Sequence, residues 1–240
     1  MDSLEFPSAS APLLRRIQFA RERLYRHRYQ DAFVGIAMAL GFAALTGLSA
    51  QVAIRTPFSP VPITLQVLAA LVSGSVLGYR WGTISQGLYV VLGALLIPWY
   101  APAATHGAFS TGGLSGGSFS GIAQLTGGLG GYIVAFPVAA FLVGFLSDRY
   151  VQARGPLPQI GMMGVGVAII YALGAIGLWL AFRWPFAVVL EEGVLLFIPV
   201  DLAKAVLAGL IGTSLVPKRP FGPEKAPSAP YRPWWPFGGA

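Results

Sequence analysis

The stretch Ala32-Phe-Val-Gly-Ile-Ala-Met-Ala-Leu-Gly-Phe-Ala-Ala-Leu-Thr-Gly-Leu-Ser-Ala-Gln-Val-Ala-Ile54 contains no charged side chain and ends against Arg55. A helix rises about 1.5 Å per residue and a bilayer's hydrocarbon core is about 30 Å thick, so roughly 20 apolar residues are enough to cross it. Working outward, comparable windows recur at Pro62–Tyr79, Trp81–Pro98, Gly131–Ser147, Leu157–Phe182 and Gly193–Val216. The composition agrees: 55% of the 240 residues are hydrophobic and 10% charged, against about 25% charged in soluble domains, and the mean hydropathy is +0.67. The sequence therefore predicts an all-α integral membrane protein of six transmembrane helices. A basic segment (1–30) precedes the membrane domain (31–217) and a Pro-rich tail (218–240) follows it, expected to be disordered. The first window is longer than a signal-peptide core and follows a long polar stretch, so it is expected to remain in the mature chain.

Basic residues are retained on the cytoplasmic side of short membrane loops. With the N-terminus inside, that side holds Arg15, Arg16, Arg21, Arg23, Arg26, Arg28, Arg80, Arg149, Arg154, Lys218, Arg219, Lys225 and Arg232. Only Arg55 and Arg183 fall outside, and an even number of spans returns the C-terminus to the cytoplasm. The net charge of +7 is thus a signature of topology in the cytoplasmic membrane. Nucleic acid is not the expected partner of these bases, because anionic lipid lies beside them. Leu13–Tyr29 reads either as a basic interfacial helix or as a charged anchor for the first span.

Several chemistries find no support. The absence of cysteine removes disulfides, thiolate metal sites and cysteine nucleophiles. His27 and His106 fall on opposite sides of the membrane with no ligand at a useful spacing, so no metal is expected. Thr126-Gly-Gly-Leu-Gly-Gly-Tyr132 lacks the Gly-Lys-Ser/Thr ending of a phosphate cradle, and no ATP site is visible. It reads instead as a glycine-rich cover over a ligand, with Tyr132 as an aromatic wall, or as a plain loop. Asp148, Glu191 and Glu192 lie at loops or span ends and are expected to be solvated.

One motif points to binding. In Phe197-Ile-Pro-Val-Asp-Leu-Ala-Lys204, Asp201 and Lys204 stand three apart inside an apolar window and share a helix face. An ionisable residue there costs on the order of 2.5–3.5 kcal/mol, so two within one turn face a cavity or each other. A mere internal salt bridge adds little stability, whereas a cavity with both signs can grip a polar ligand. Lys204 supplies donors to a carbonyl or carboxylate and Asp201 accepts from N–H groups, which suits an amide-like or ureido ligand, an acid, or both. The pair lies in the outer half of its span, so the cavity should open outward. Two further features leave alternatives open. Thr64 and Gln66, in Ser59-Pro-Val-Pro-Ile-Thr-Leu-Gln66, cap a helix or line the cavity. Gly35, Ala39, Ala43 and Gly47 form a small-residue stripe that admits either a partner helix or a helix of the same chain.

Ser59-Pro-Val-Pro-Ile-Thr-Leu-Gln66, Gly130-Gly-Tyr132 and Ile198-Pro-Val-Asp-Leu-Ala-Lys204 occur in this order within Ala32–Val216. Together they resemble the biotin transporter family, the substrate-binding S components of energy-coupling factor (ECF) importers. The resemblance implies biotin as the transported ligand and no enzymatic activity. It also implies a complex with a transmembrane coupling protein and two cytoplasmic ATPases. It places Asp201 and Lys204 against biotin's bicyclic head, Tyr132 in the same pocket, and the Gly35–Gly47 stripe against the coupling protein. The segment Pro98–Gly130 is longer than the family's usual passage, so the polar contact before Gly-Gly-Tyr falls on Thr126 or Gln124. Competing readings are an S component for another vitamin, a proton-coupled secondary transporter using Asp201, and an intramembrane enzyme. No inverted repeat between 32–98 and 131–216 and no nucleophile near Asp201 support the last two.

Overall fold

The structure is a computed structural model that describes residues 31–54, 56, 58–101, 109–111 and 121–217. The basic N-terminal segment, the tail, Arg55 and both histidines lie outside the described residues. In chain order the elements are α1 (Ala32–Gln51), β1 (Val52–Ile54), β2 (Ile63–Thr64), α2 (Gln66–Leu95), β3 (Phe109–Thr111), α3 (Gly121–Thr126), α4 (Gly130–Arg149), α5 (Pro156–Phe182), α6 (Phe186–Leu190) and α7 (Ile198–Leu215). A π-helical turn, Glu191–Leu195, joins α6 to α7. Among the described residues, five helices are long and apolar enough to cross a membrane: α1, α2, α4, α5 and α7.

The second and third predicted spans form the single element α2, but it is not straight. Gly78 has φ 77° and ψ 179°, a region that essentially only glycine occupies without strain. There the helix folds back on itself. A Cβ on Gly82 would lie 2.8 Å from the Gly74 Cα, although eight residues of straight helix would separate them by about 12 Å. Farther up the hairpin, Gln86 Nε2 donates to Ser73 Oγ at 3.0 Å, and the Gln66 amide donates to the Tyr89 hydroxyl. Asp148 secures the turn by accepting the Tyr79 N–H at 3.0 Å. Asp148 is therefore buried, which corrects the expectation that it is solvated.

Helix α1 packs on the second arm of this hairpin. Gln86 Nε2 also reaches Thr46 Oγ1 at 3.1 Å, which ties α1 to both arms. Arg154 is fully buried at the same end of the bundle as Gly78, donating to Ser147 O at 3.0 Å and Pro217 O at 3.1 Å. Arg80, Arg149 and Arg154 thus gather at one end, where the chain turns at Gly78 and leaves α4 and α7.

At the opposite end the all-α expectation is corrected. Val52–Ile54, read as the end of the first span, is the central strand of a small antiparallel sheet ordered β2-β1-β3. Ala53 pairs with Thr64, and Val52, Ala53 and Ile54 pair with Thr111, Ser110 and Phe109. The physical reason lies in Pro57, Pro60 and Pro62, which lack the N–H groups a helix needs. The β-branched residues of Val52–Ile54 and Ile63-Thr64 then pair as strands instead. The glycine-rich stretch between the third and fourth predicted spans contributes β3 and the short α3, neither of which crosses the membrane by length.

Candidate functional site

The cavity opens between the N-terminal ends of α2, α4 and α7, at the end of the bundle opposite the arginines. Its lining is mostly aliphatic and aromatic with a few polar groups, the pattern of small-molecule sites. Val61, Pro62, Ile63 and Thr64 from the β1–β2 connection and β2 form one wall, and Leu129, Tyr132, Ile133 and Phe136 of α4 another. Ile170 and Tyr171 of α5, Phe197 just before α7, and Asp201 and Lys204 of α7 also line it.

The polar groups sit at two poles. At the first, Lys204 Nζ lies 2.7 Å from Asp201 Oδ1, and the Tyr171 hydroxyl donates to Asp201 Oδ2 at 2.9 Å. Both charged residues are buried. Asp201 stands in the first turn of α7, where the positive end of the helix favours a carboxylate. Lys204 lines the cavity, and of its three N–H donors one is used on Asp201. At the second pole, Thr64 Oγ1 donates to Gln66 Oε1 at 2.9 Å and also accepts the Gln66 N–H at 3.3 Å. Thr64 therefore satisfies the first N–H of α2, and both Thr64 and Gln66 line the cavity. Tyr89, whose hydroxyl accepts the Gln66 amide, stacks on Trp99 with ring centres 5.6 Å apart.

The remaining expected site residues divide. Tyr132 lines the cavity and donates its hydroxyl to Gly193 O at 2.6 Å. Thr126 and Gln124 lie on α3 and are not among the lining residues. The Thr126 hydroxyl is exposed and turned back onto Ile122 O at 3.1 Å. Gln124 Oε1 is buried with no hydrogen-bond partner among the described residues. Sequence reasoning missed Tyr171, because a tyrosine in a long apolar helix carries no sign of a carboxylate thirty residues onward.

The stripe of Gly35, Ala39, Ala43 and Gly47 needs correction as a partner interface, because all four residues are buried inside the chain. A Cβ on Gly35 would strike the Trp81 indole, and one on Gly47 would lie 2.7 Å from Trp99. The two tryptophans fill the space that the small residues leave, so the alternative of packing within the chain describes this face. The exposed small residues of α1 include Ala37, Gly41 and Ala44, with open space around Gly41.

A helical bundle with an ion pair buried in a cavity at one end is a membrane protein built to hold a small ligand with polar groups. The chain belongs to the BioY family, whose family model matches residues 25–221. It is 36% identical over 180 residues to a probable biotin transporter BioY of Pyrococcus horikoshii, covering 75% of this chain and 94% of that one. It is 35% identical to the biotin transporter BioY of Thermotoga maritima, covering 72% and 90%. Among solved structures it resembles the S-component for biotin from an ECF-type ABC transporter, with TM-score 0.64, 26% identity, and 75% and 89% coverage.

Proposed function

We propose that this chain captures biotin at the outer face of the cytoplasmic membrane and takes it up as the S component of an ECF-type transporter. The observation that carries this reading is the Asp201–Lys204 pair, buried in the cavity of a chain of the BioY family. Biotin presents ureido N–H groups that a carboxylate accepts and a ureido carbonyl that an ammonium donates to. Its thioether ring and aliphatic tail suit Phe136, Phe197 and Ile133. Tyr132 closes the wall beside the pair, and Thr64 and Gln66 offer polar groups at the far pole.

Orientation follows from the charges. Arg80, Arg149 and Arg154 gather at the end away from the cavity, which the positive-inside rule assigns to the cytoplasm. With the two arms of α2 as separate crossings, the chain spans the membrane six times and both termini are cytoplasmic. No chemistry is asked of the chain itself; ATP hydrolysis belongs to two cytoplasmic ATPases reached through a transmembrane coupling protein. Ala37, Gly41 and Ala44 offer that protein a smooth exposed face on α1.

The test is calorimetry on the purified chain in detergent without nucleotide, titrating biotin, thiamine and riboflavin. Tight binding of biotin alone is the expected result. Tight binding of another vitamin in its place would reassign the ligand within the same architecture, and binding of none would overturn the reading of the cavity.

A further inference from the structure

The π turn at Glu191–Leu195 leaves two carbonyls without their helical donors. In an α-helix the N–H of Leu196 would serve Glu192 O, and that of Phe197 would serve Gly193 O. Instead Leu196 N–H bonds to Glu191 O at 3.4 Å and Phe197 N–H to Val194 O at 3.0 Å. Buried carbonyls do not stay unpaired without cost. Side chains from elsewhere in the chain take both: Ser59 Oγ donates to Glu192 O at 2.6 Å, and the Tyr132 hydroxyl donates to Gly193 O at 2.6 Å. Ser59 is itself held by the Val61 N–H at 3.1 Å. Gly193 admits the tyrosine, since a Cβ there would lie 2.8 Å from its hydroxyl oxygen.

A π turn has the effect of one extra residue in an α-helix, which is about 100° of rotation for everything that follows. If the turn relaxed to regular α-helix, Val200 and Ala203 would take the angular positions that Asp201 and Lys204 now hold. The relaxed turn would regain both backbone bonds and lose both hydroxyl bonds. We propose that Ser59 is a positioning residue which, with Tyr132, holds the π turn and thereby the rotational phase in which Asp201 and Lys204 face the cavity. Its bearing on biotin rests on the function proposed above. The phase itself can be read without any ligand.

The chain has no cysteine, so one placed at Ala203, exposed on the outside of α7, reports the phase. In purified full-length chain in detergent, Ala203→Cys should react slowly with a charged methanethiosulfonate, because the micelle covers it. Adding Ser59→Ala should turn it toward the cavity, raise the rate at least tenfold and weaken biotin binding at least tenfold. Ser59→Thr, which keeps the hydroxyl, should restore both. Deleting Val194 from the Ser59→Ala chain removes the extra residue and should also return the slow rate, which a merely loosened fold would not do. If the Ser59→Ala chain is not monodisperse, Tyr132→Phe is read by the same reaction. Equal rates with and without these hydroxyls would overturn the proposal. Loss of biotin binding already in the parent chain would overturn the reading of the cavity instead and leave the reactivity result intact.

Discussion

The hydroxyl of Tyr171 in α5 donates to Asp201 Oδ2 in α7 at 2.9 Å, while Lys204 holds the other carboxylate oxygen at 2.7 Å. Asp201 is thus fixed from two helices before any ligand arrives, and such preorganisation lowers the cost of binding. Replacing Tyr171 with Phe removes one hydrogen bond to a charged group, worth about 1.5–3 kcal/mol in general. Because the carboxylate keeps Lys204, part of that is retained. Biotin affinity should fall about tenfold, which is about 1.4 kcal/mol. Calorimetry on the folded variant is the check, and unchanged affinity would make Tyr171 a bystander.

The charged pair should behave as a unit. Asp201→Asn leaves the Lys204 ammonium buried without its counter-charge, and Lys204→Ala does the reverse; each should weaken biotin binding at least tenfold. The double variant should lose less than the sum of the two, because the second change removes the charge that the first left unpaired. A double-mutant cycle measured by calorimetry decides this, and strict additivity would show that the two residues act on the ligand separately.

The apolar windows made most of the bundle legible, since membrane helices must satisfy their own backbone and so declare themselves by length. The pair at Asp201 and Lys204 was legible on the same physical ground, because a charge inside such a window has to face a cavity or a counter-charge. Three things were not. The two arms of α2 were read as separate windows on either side of Arg80, but the glycine on which they turn was not, because a positive φ has no compositional mark among the many glycines of this chain. The π turn conserves hydropathy and changes only hydrogen-bond register. The stripe on α1 was visible as spacing, but what covers it depends on Trp81 and Trp99, whose side chains reach it only in the folded chain.

That last point separates two substitutions on one helix. Ala43 is fully buried, so Ala43→Trp should overpack the α1–α2 contact and cost on the order of 1–3 kcal/mol or more. The expected sign is a lower unfolding temperature and loss of a monodisperse peak in size exclusion. Gly41 faces open space, so Gly41→Trp should leave folding and biotin affinity unchanged within about twofold. If a coupling protein packs on this face, Gly41→Trp should abolish co-purification with it. A well-folded Ala43→Trp chain that fails only in assembly would return the partner contact to the buried stripe.

The turn at Gly78 offers the sharpest test of the hairpin. Its φ of 77° with ψ of 179° costs a residue with a side chain of order 1–3 kcal/mol, and a Cβ there would lie 2.8 Å from Asp148 Oδ1. Gly78→Ala should therefore strain the turn and push Asp148 off the Tyr79 N–H. Asp148→Ala alone removes the same acceptor without straining the backbone, costing about 1–3 kcal/mol for a buried donor left unpaired. Both variants should unfold at lower temperature, with Gly78→Ala the worse of the two, and neither touches the cavity at the other end of the bundle. Biotin affinity of the folded fraction should accordingly stay near that of the parent chain. If Gly78→Ala were as stable as the parent, the positive φ at this glycine would not be what the reversal of the chain depends on.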